Sequence, residues 1–216
     1  MLRSSKDFNR YDSWVKKMVT ETEKIEKIEN AIEAAKLQEG ENVLLISKPG
    51  DEKFIFGIKY LAREVSNNRK GIYITTDALP SEIEKKSEKY NVKLKEYTGN
   101  SVFFVDSYSW TLGEDREKIS DRKDIVVPGP SALNDLSIGI SQALKICVER
   151  PVIIFHSVST LFLYNDPEIT FRFLQIIGAR FKINDATSIF FCEENMHDEK
   201  LMTTLKHLMD KCIELE

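Results

Sequence analysis

One turn, Ser47-Lys48-Pro49-Gly50-Asp51-Glu52-Lys53-Phe54, gathers the residue types that handle phosphate. It lies between a short β-rich run and an amphipathic helical stretch. A Gly-containing turn in that setting presents backbone N–H groups and a helix N-terminus to an anion, while a lysine reaches its outer oxygens. The turn aligns with the phosphate-binding pattern G-x-x-x-x-G-K-[ST], the Walker A loop, at Pro49, Gly50 and Lys53. A second grouping, His156-Ser157 with Asp77 or Asp106, has the residue types of a hydrolase triad. A serine nucleophile needs a sharp elbow with small neighbours, as in G-x-S-x-G, and the chain has none. His156 is therefore read as a partly buried residue hydrogen-bonded at the end of a strand.

Other polar residues call for no chemistry of their own. His197, in Asn195-Met196-His197-Asp198, reads as a turn or capping residue, and His207 as solvated surface. Tyr108 and Trp110 can stack on a base or a partner side chain, although packing at the rim is the commoner fate of such rings. Cys147, Cys192 and Cys212 each lie in or beside an apolar segment and read as buried free thiols. With no CxxC or His-x-x-His spacing, no metal site is expected.

The elements that would position these residues alternate. β-rich runs occur at Val43–Ser47, Gly71–Thr75, Ser101–Asp106, Pro151–His156, Thr187–Cys192 and Cys212–Leu215. Several are apolar at successive positions, as strands buried on both faces must be. Between them, Phe54, Ile58, Leu61 and Val65, and then Leu133, Leu136, Ile140, Leu144 and Cys147, recur at helical spacing. Asp166-Pro167-Glu168 reads as a cap, a first-turn proline and an acidic first turn, and Asp198 as the cap of the last helix. Such alternation predicts an α/β fold with a mainly parallel sheet covered by helices on both faces, in three layers. The chain is expected to divide into an N-terminal helical segment, 1–39, and one domain, 40–216. In the first, Trp14, Met18, Ile25, Ile28 and Ile32 form a thin apolar seam that packs on the domain or on a partner. Residues Gly113 to Pro130 form a charged surface excursion.

The 216 residues carry a net charge of -4, with 42% hydrophobic and 31% charged residues. That balance allows a full core and argues against a nucleic-acid footprint across the domain. No apolar run approaches the roughly 18 residues of a membrane span. The polar N-terminus lacks a secretory apolar centre, so a cytoplasmic location is expected.

The order of motifs resembles one family. VLLISKPGDEKFIFGIKYLAREV followed by GIYITTDALPSEI, then PVIIFHSVSTLFLYND and SIFFCEENMHDEKLMTTLKHLMDKCIEL, resembles the KaiC-like branch of the RecA-superfamily P-loop ATPases, common in archaea. The resemblance covers about residues 40–216. It implies a RecA-like core in which ATP binding is often coupled to oligomers or partner proteins. Carried over residue by residue, it places Ser47 at the first loop glycine, Glu52 at the second and Phe54 at the Ser/Thr that holds Mg²⁺. It places His156 at the metal-binding Walker B aspartate, and Asp77-Ala78 at the acidic pair after the second strand. Glu52 brings a side chain where the backbone often needs positive φ, and an anion beside Asp51. Like charges about 4 Å apart cost roughly 1 kcal/mol in water and several times more in a partly buried site. Lys53 alone keeps its type and either meets a phosphate or pairs with Asp51, Glu52 or Asp77. Asp77 is the candidate water-activating base.

The expectation is a non-catalytic or severely impaired homologue acting through protein contacts, in a regulatory or scaffolding role. Its candidate cofactor site is the degenerate loop Pro49, Gly50, Asp51, Glu52, Lys53 and Phe54, binding no cofactor or ATP/ADP weakly. The alternatives are an ATP/ADP-binding conformational switch with altered metal use, and a DNA-associated RecA relative. A protein partner or a homo-oligomer is expected, with Ile25, Ile28 and Ile32 as the hinted partner face; nucleic acid and membrane are not.

Overall fold

Residues 21–113 and 123–215 are described by the structure, a computed structural model. The chain divides into two compact units, Met1–Lys36 and Leu37–Glu216. In the first, a helix (α1) runs over 21–35. Ile28 and Ile32 are each 4% exposed, and Ile25 is half-buried. Trp14 and Met18 lie outside the described residues.

The second unit runs β1 (Asn42–Ser47), α2 (Glu52–Ser66), β2 (Gly71–Thr75), α3 (Pro80–Glu88), β3 (Val102–Asp106) and β4 (Ile125–Val126). It continues with α4 (Leu133–Ile146), β5 (Val152–His156), α5 (Val158–Tyr164), α6 (Pro167–Ile183), β6 (Thr187–Glu193), α7 (Glu199–His207) and β7 (Lys211–Leu215). The strands form a seven-stranded sheet in the order β4-β3-β2-β5-β6-β1-β7, parallel at every pairing. This is the α/β architecture expected from the sequence. All of β1 and β2 is buried, which is why these strands read as continuous apolar runs rather than as alternating ones.

Two layers of helix cover the sheet. On one face, Leu44, Ile72, Ile153, Phe155 and Phe190 join Leu136 and Ile140 of α4 and Leu174, Ile177 and Phe181 of α6 in one core. The other face receives α2, which packs against β1, β2 and β5. Gly57 sets that approach: a Cβ there would overlap the Phe191 ring and lie 3.5 Å from Ile154 Cγ2. The helix caps are those expected. The Asp166 carboxylate accepts from the Glu168 and Ile169 N–H groups, and Asp198 accepts from Leu201 N at 2.8 Å.

Three sequence expectations are corrected. The charged excursion contains a two-residue edge strand, β4, which pairs Ile125 with Val105 and Val126 with Asp106; residues 114–122 lie outside the described residues. The β6 strand extends through Glu193, one residue past the apolar run. Cys147 and Cys192 are buried thiols, but Cys212 is exposed, because β7 is the edge strand and its alternate residues face outward. Burial pushes the Cys147 and Cys192 thiols up to about 11. No helix among the described residues is long and apolar enough to cross a membrane.

Candidate functional site

Parallel register brings the chemical residues to one edge. Ser47 at the end of β1 stands opposite Glu193 of β6. Thr75 at the end of β2 stands opposite His156 of β5 and Asp106 of β3. These are carboxyl ends of strands, where sheets of this type place ligands.

Lys53 lies in the first turn of α2 and is buried, its side chain 4% exposed. Its Nζ donates to Glu193 Oε2 at 2.9 Å and to Ser47 Oγ at 2.9 Å, and reaches the Lys48 carbonyl at 3.3 Å. The pairing expected with Asp51, Glu52 or Asp77 is corrected: the acid is Glu193, brought alongside by the β1–β6 register. A buried ammonium needs a charged partner and hydrogen bonds to offset lost hydration, and Lys53 has both.

Asp51 turns the other way. Its carboxylate accepts from the Tyr90 hydroxyl and pairs with Lys86 of α3 at 2.6 Å. Glu52 folds back over the turn, so that a Cβ on Gly50 would overlap its Oε2. Glu52 also places an acid in the first turn of α2, where the helix dipole favours negative charge. The chain thus sets its own carboxylates around the helix N-terminus, the position a phosphate would use. Pro49 and Gly50 form the exposed tip of the turn.

Phe54 is buried. Its ring lies 6.1 Å from that of Tyr90 and 6.4 Å from that of His156, with Lys86 Nζ 4.4 Å from the ring centroid. The Phe191 ring lies 5.1 Å from the His156 ring. Helix α3 and its following turn therefore close over the loop through Lys86 and Tyr90.

His156 is held at one nitrogen by a hydrogen bond and stands near a carboxylate at the other. Nδ1 lies 2.9 Å from the Tyr73 hydroxyl, and Nε2 lies 3.6 Å from Asp77 Oδ1. The second Asp77 oxygen accepts from Thr160 Oγ1 at 3.2 Å. Burial lowers the His156 pKa below its ordinary value, with Lys86 and Lys53 adding to the shift and Asp77 and Glu193 opposing it. Tyr73, buried beside it, has its pKa raised well above the usual value, first by burial and then by the Asp77 charge.

The triad grouping does not assemble. The Ser157 side chain caps α5, accepting from Thr160 N. Asp106 is buried and accepts from the Tyr108 and Ser109 N–H groups at 2.9 Å. It stands two strands from His156, a separation of about 9–10 Å at ordinary strand spacing. Trp110 is partly exposed at the rim, and Tyr108 half-buried. His197 does more than turn the chain: Nε2 lies 2.9 Å from Ser159 Oγ, and the ring packs edge-on to Phe162. His207 is exposed. No group of three or more His, Cys, Asp or Glu residues that could hold a metal occurs among the described residues.

Sequence reasoning missed Glu193, Tyr73, Lys86 and Tyr90. Glu193 follows an apolar run directly, which marks a strand end facing solvent or a ligand. Its partner is set by register, which one sequence does not reveal. The Tyr73 hydroxyl in an otherwise apolar strand was the other signal, since a buried hydroxyl needs a partner.

A search of curated proteins returns no match. The family model described as the KaiC ATPase matches residues 21–216. With that match over most of its length, and with a parallel sheet that turns from β1 into the Ser47–Phe54 loop, the chain belongs to the KaiC ATPase family.

Proposed function

We propose that this KaiC-family chain is a non-catalytic homologue that works through protein contacts in the cytoplasm, in a regulatory or scaffolding role. The observation that carries the reading is the Lys53–Glu193 pair: the one side chain that keeps its phosphate-binding type is turned inward and neutralised. Three further features support it. The Glu52 carboxylate lies over Gly50. Phe54 offers a buried ring where Mg²⁺ needs a hydroxyl oxygen. His156, with Nδ1 bonded to the Tyr73 hydroxyl, is a poor ligand for a hard cation that prefers oxygen. The residues present do not fit Mg-ATP. Asp77 accepts from Thr160 Oγ1 at 3.2 Å and, without a metal-bound nucleotide beside it, has no water to activate. Release of phosphate from Mg-ATP is the test of catalysis: the reading expects none above background. Turnover that Lys53→Ala abolishes would overturn it.

A second reading, an ATP/ADP-binding switch, draws on one observation: the Glu193 side chain is 27% exposed, so the acid that pairs with Lys53 is reached by solvent. A rise of several degrees in the melting temperature with ATP or ADP, lost in Lys53→Ala, would favour it.

A further inference from the structure

Helix α6 carries two apolar stripes. Phe173, Leu174, Ile177 and Phe181 face the core. On the outer side Ile169, Ile176 and Ile183 are 54%, 57% and 82% exposed. A helix apolar on both sides is one that expects cover on both. The outer isoleucines recur every seven residues, the spacing of a helix–helix seam, with the exposed Arg172 and Ala179 at the intervening positions. Along one flank of that seam, again seven apart, lie the exposed residues Glu168, Gln175 and Lys182.

That arrangement is self-complementary in one orientation. Turned end for end about Ile176, Ile169 of one helix lies towards Ile183 of the other. The flank then pairs Glu168 with Lys182, Gln175 with Gln175 and Lys182 with Glu168. A parallel pairing would instead place the two copies of that flank on opposite sides of the seam, so that none of these pairs forms, and would align the helix dipoles in the same sense. The present partners of these charges are surface pairs that a second helix can join. Glu168 lies 3.4 Å from Arg172, both largely exposed, and Lys182 pairs with Asp210.

We propose that α6 pairs antiparallel with α6 of a second copy of this chain, forming a two-fold dimer. Such an interface is isologous, so one face suffices to build it. Helix α6 is about 25 Å long at 1.5 Å per residue. A single seam of that length buries less than the ~800 Å² per partner of a standard stable interface. The dimer is therefore expected to be a weak, concentration-dependent one. The pairing does not depend on whether the loop binds nucleotide. Ile176→Lys alters assembly and leaves the loop alone, whereas Lys53→Ala alters the loop and leaves α6 alone.

Sedimentation velocity of the full chain across concentration tests the proposal. The expected result is a shift from 24.9 kDa towards twice that mass. Ile176→Lys, which opposes two ammonium groups at the two-fold axis, should weaken dimerisation by on the order of thirtyfold or more. Because Ile176 is exposed, the variant should melt with the wild type. Glu168→Lys should also weaken the dimer, and adding Lys182→Glu should restore it by re-forming the flank pairs with reversed polarity. A chain that stays monomeric up to ~300 µM overturns the proposal. So does an oligomer that Ile176→Lys does not disturb, or a double variant as weak as Glu168→Lys alone.

Discussion

An ammonium group on a side chain 4% exposed must be paired where it lies, and Glu193 does this for Lys53. Removing Glu193 strands the charge, whereas removing Lys53 leaves a carboxylate that water can still reach. Glu193→Ala should therefore cost roughly 2–3 kcal/mol, below the ~3–5 kcal/mol of breaking a fully buried pair because Glu193 is partly exposed. Lys53→Met should cost less, and a double-mutant cycle by urea denaturation should give a coupling of about 1–2 kcal/mol. A cycle that closes to zero would show that the pair does not hold the loop. His156 supplies a second check. Its folded pKa is lowered from 6.5 by burial, so below pH 6.5 the unfolded chain takes up the proton first and stability falls with pH. His197 is shifted in the same direction, also by burial. The melting temperature should drop between pH 7 and pH 5.5, above the range where most carboxylates titrate. His156→Gln should reduce that drop without removing it. An unchanged pH slope in that variant would contradict the assignment.

At the scale of elements, α2 has to lie close to the sheet for Lys53 to reach Glu193, and Gly57 permits it. Alanine at an exposed helix position ordinarily gains about 0.5–1 kcal/mol over glycine. At position 57 the added methyl meets the fully buried Phe191 ring, so Gly57→Ala should instead destabilise by about 1–3 kcal/mol in thermal or urea unfolding. A stabilised variant would mean that α2 rides higher on the sheet. The strands and helices themselves were legible in the sequence, because continuous apolar runs mark strands buried on both faces and 3.6-residue stripes mark their covering helices. The Asp166-Pro167-Glu168 and Asp198 caps were legible for the same local reason. Less legible was the two-residue strand Ile125–Val126, too short to show a period, and the exposure of Cys212, which depends on which strand ends the sheet.

For the whole molecule, the site is a product of strand order. The sequence shows that Ser47, Glu52 and Phe54 stand where a phosphate-binding loop has glycines and a hydroxyl. It does not show that β6 lies beside β1, and so it hides Glu193; nor does it show that α3 folds Lys86 and Tyr90 onto Asp51 and Phe54. Long-range register is carried by no single segment. The loop is closed from two sides by residues about 40 and 140 positions away along the chain, Lys86 and Tyr90 on one side and Glu193 on the other. The central claim, that the chain occupies its own phosphate position, is tested most directly by isothermal titration of Mg-ATP into this 216-residue chain. The account predicts no saturable heat at millimolar nucleotide; micromolar binding that disappears in Lys53→Ala would contradict it.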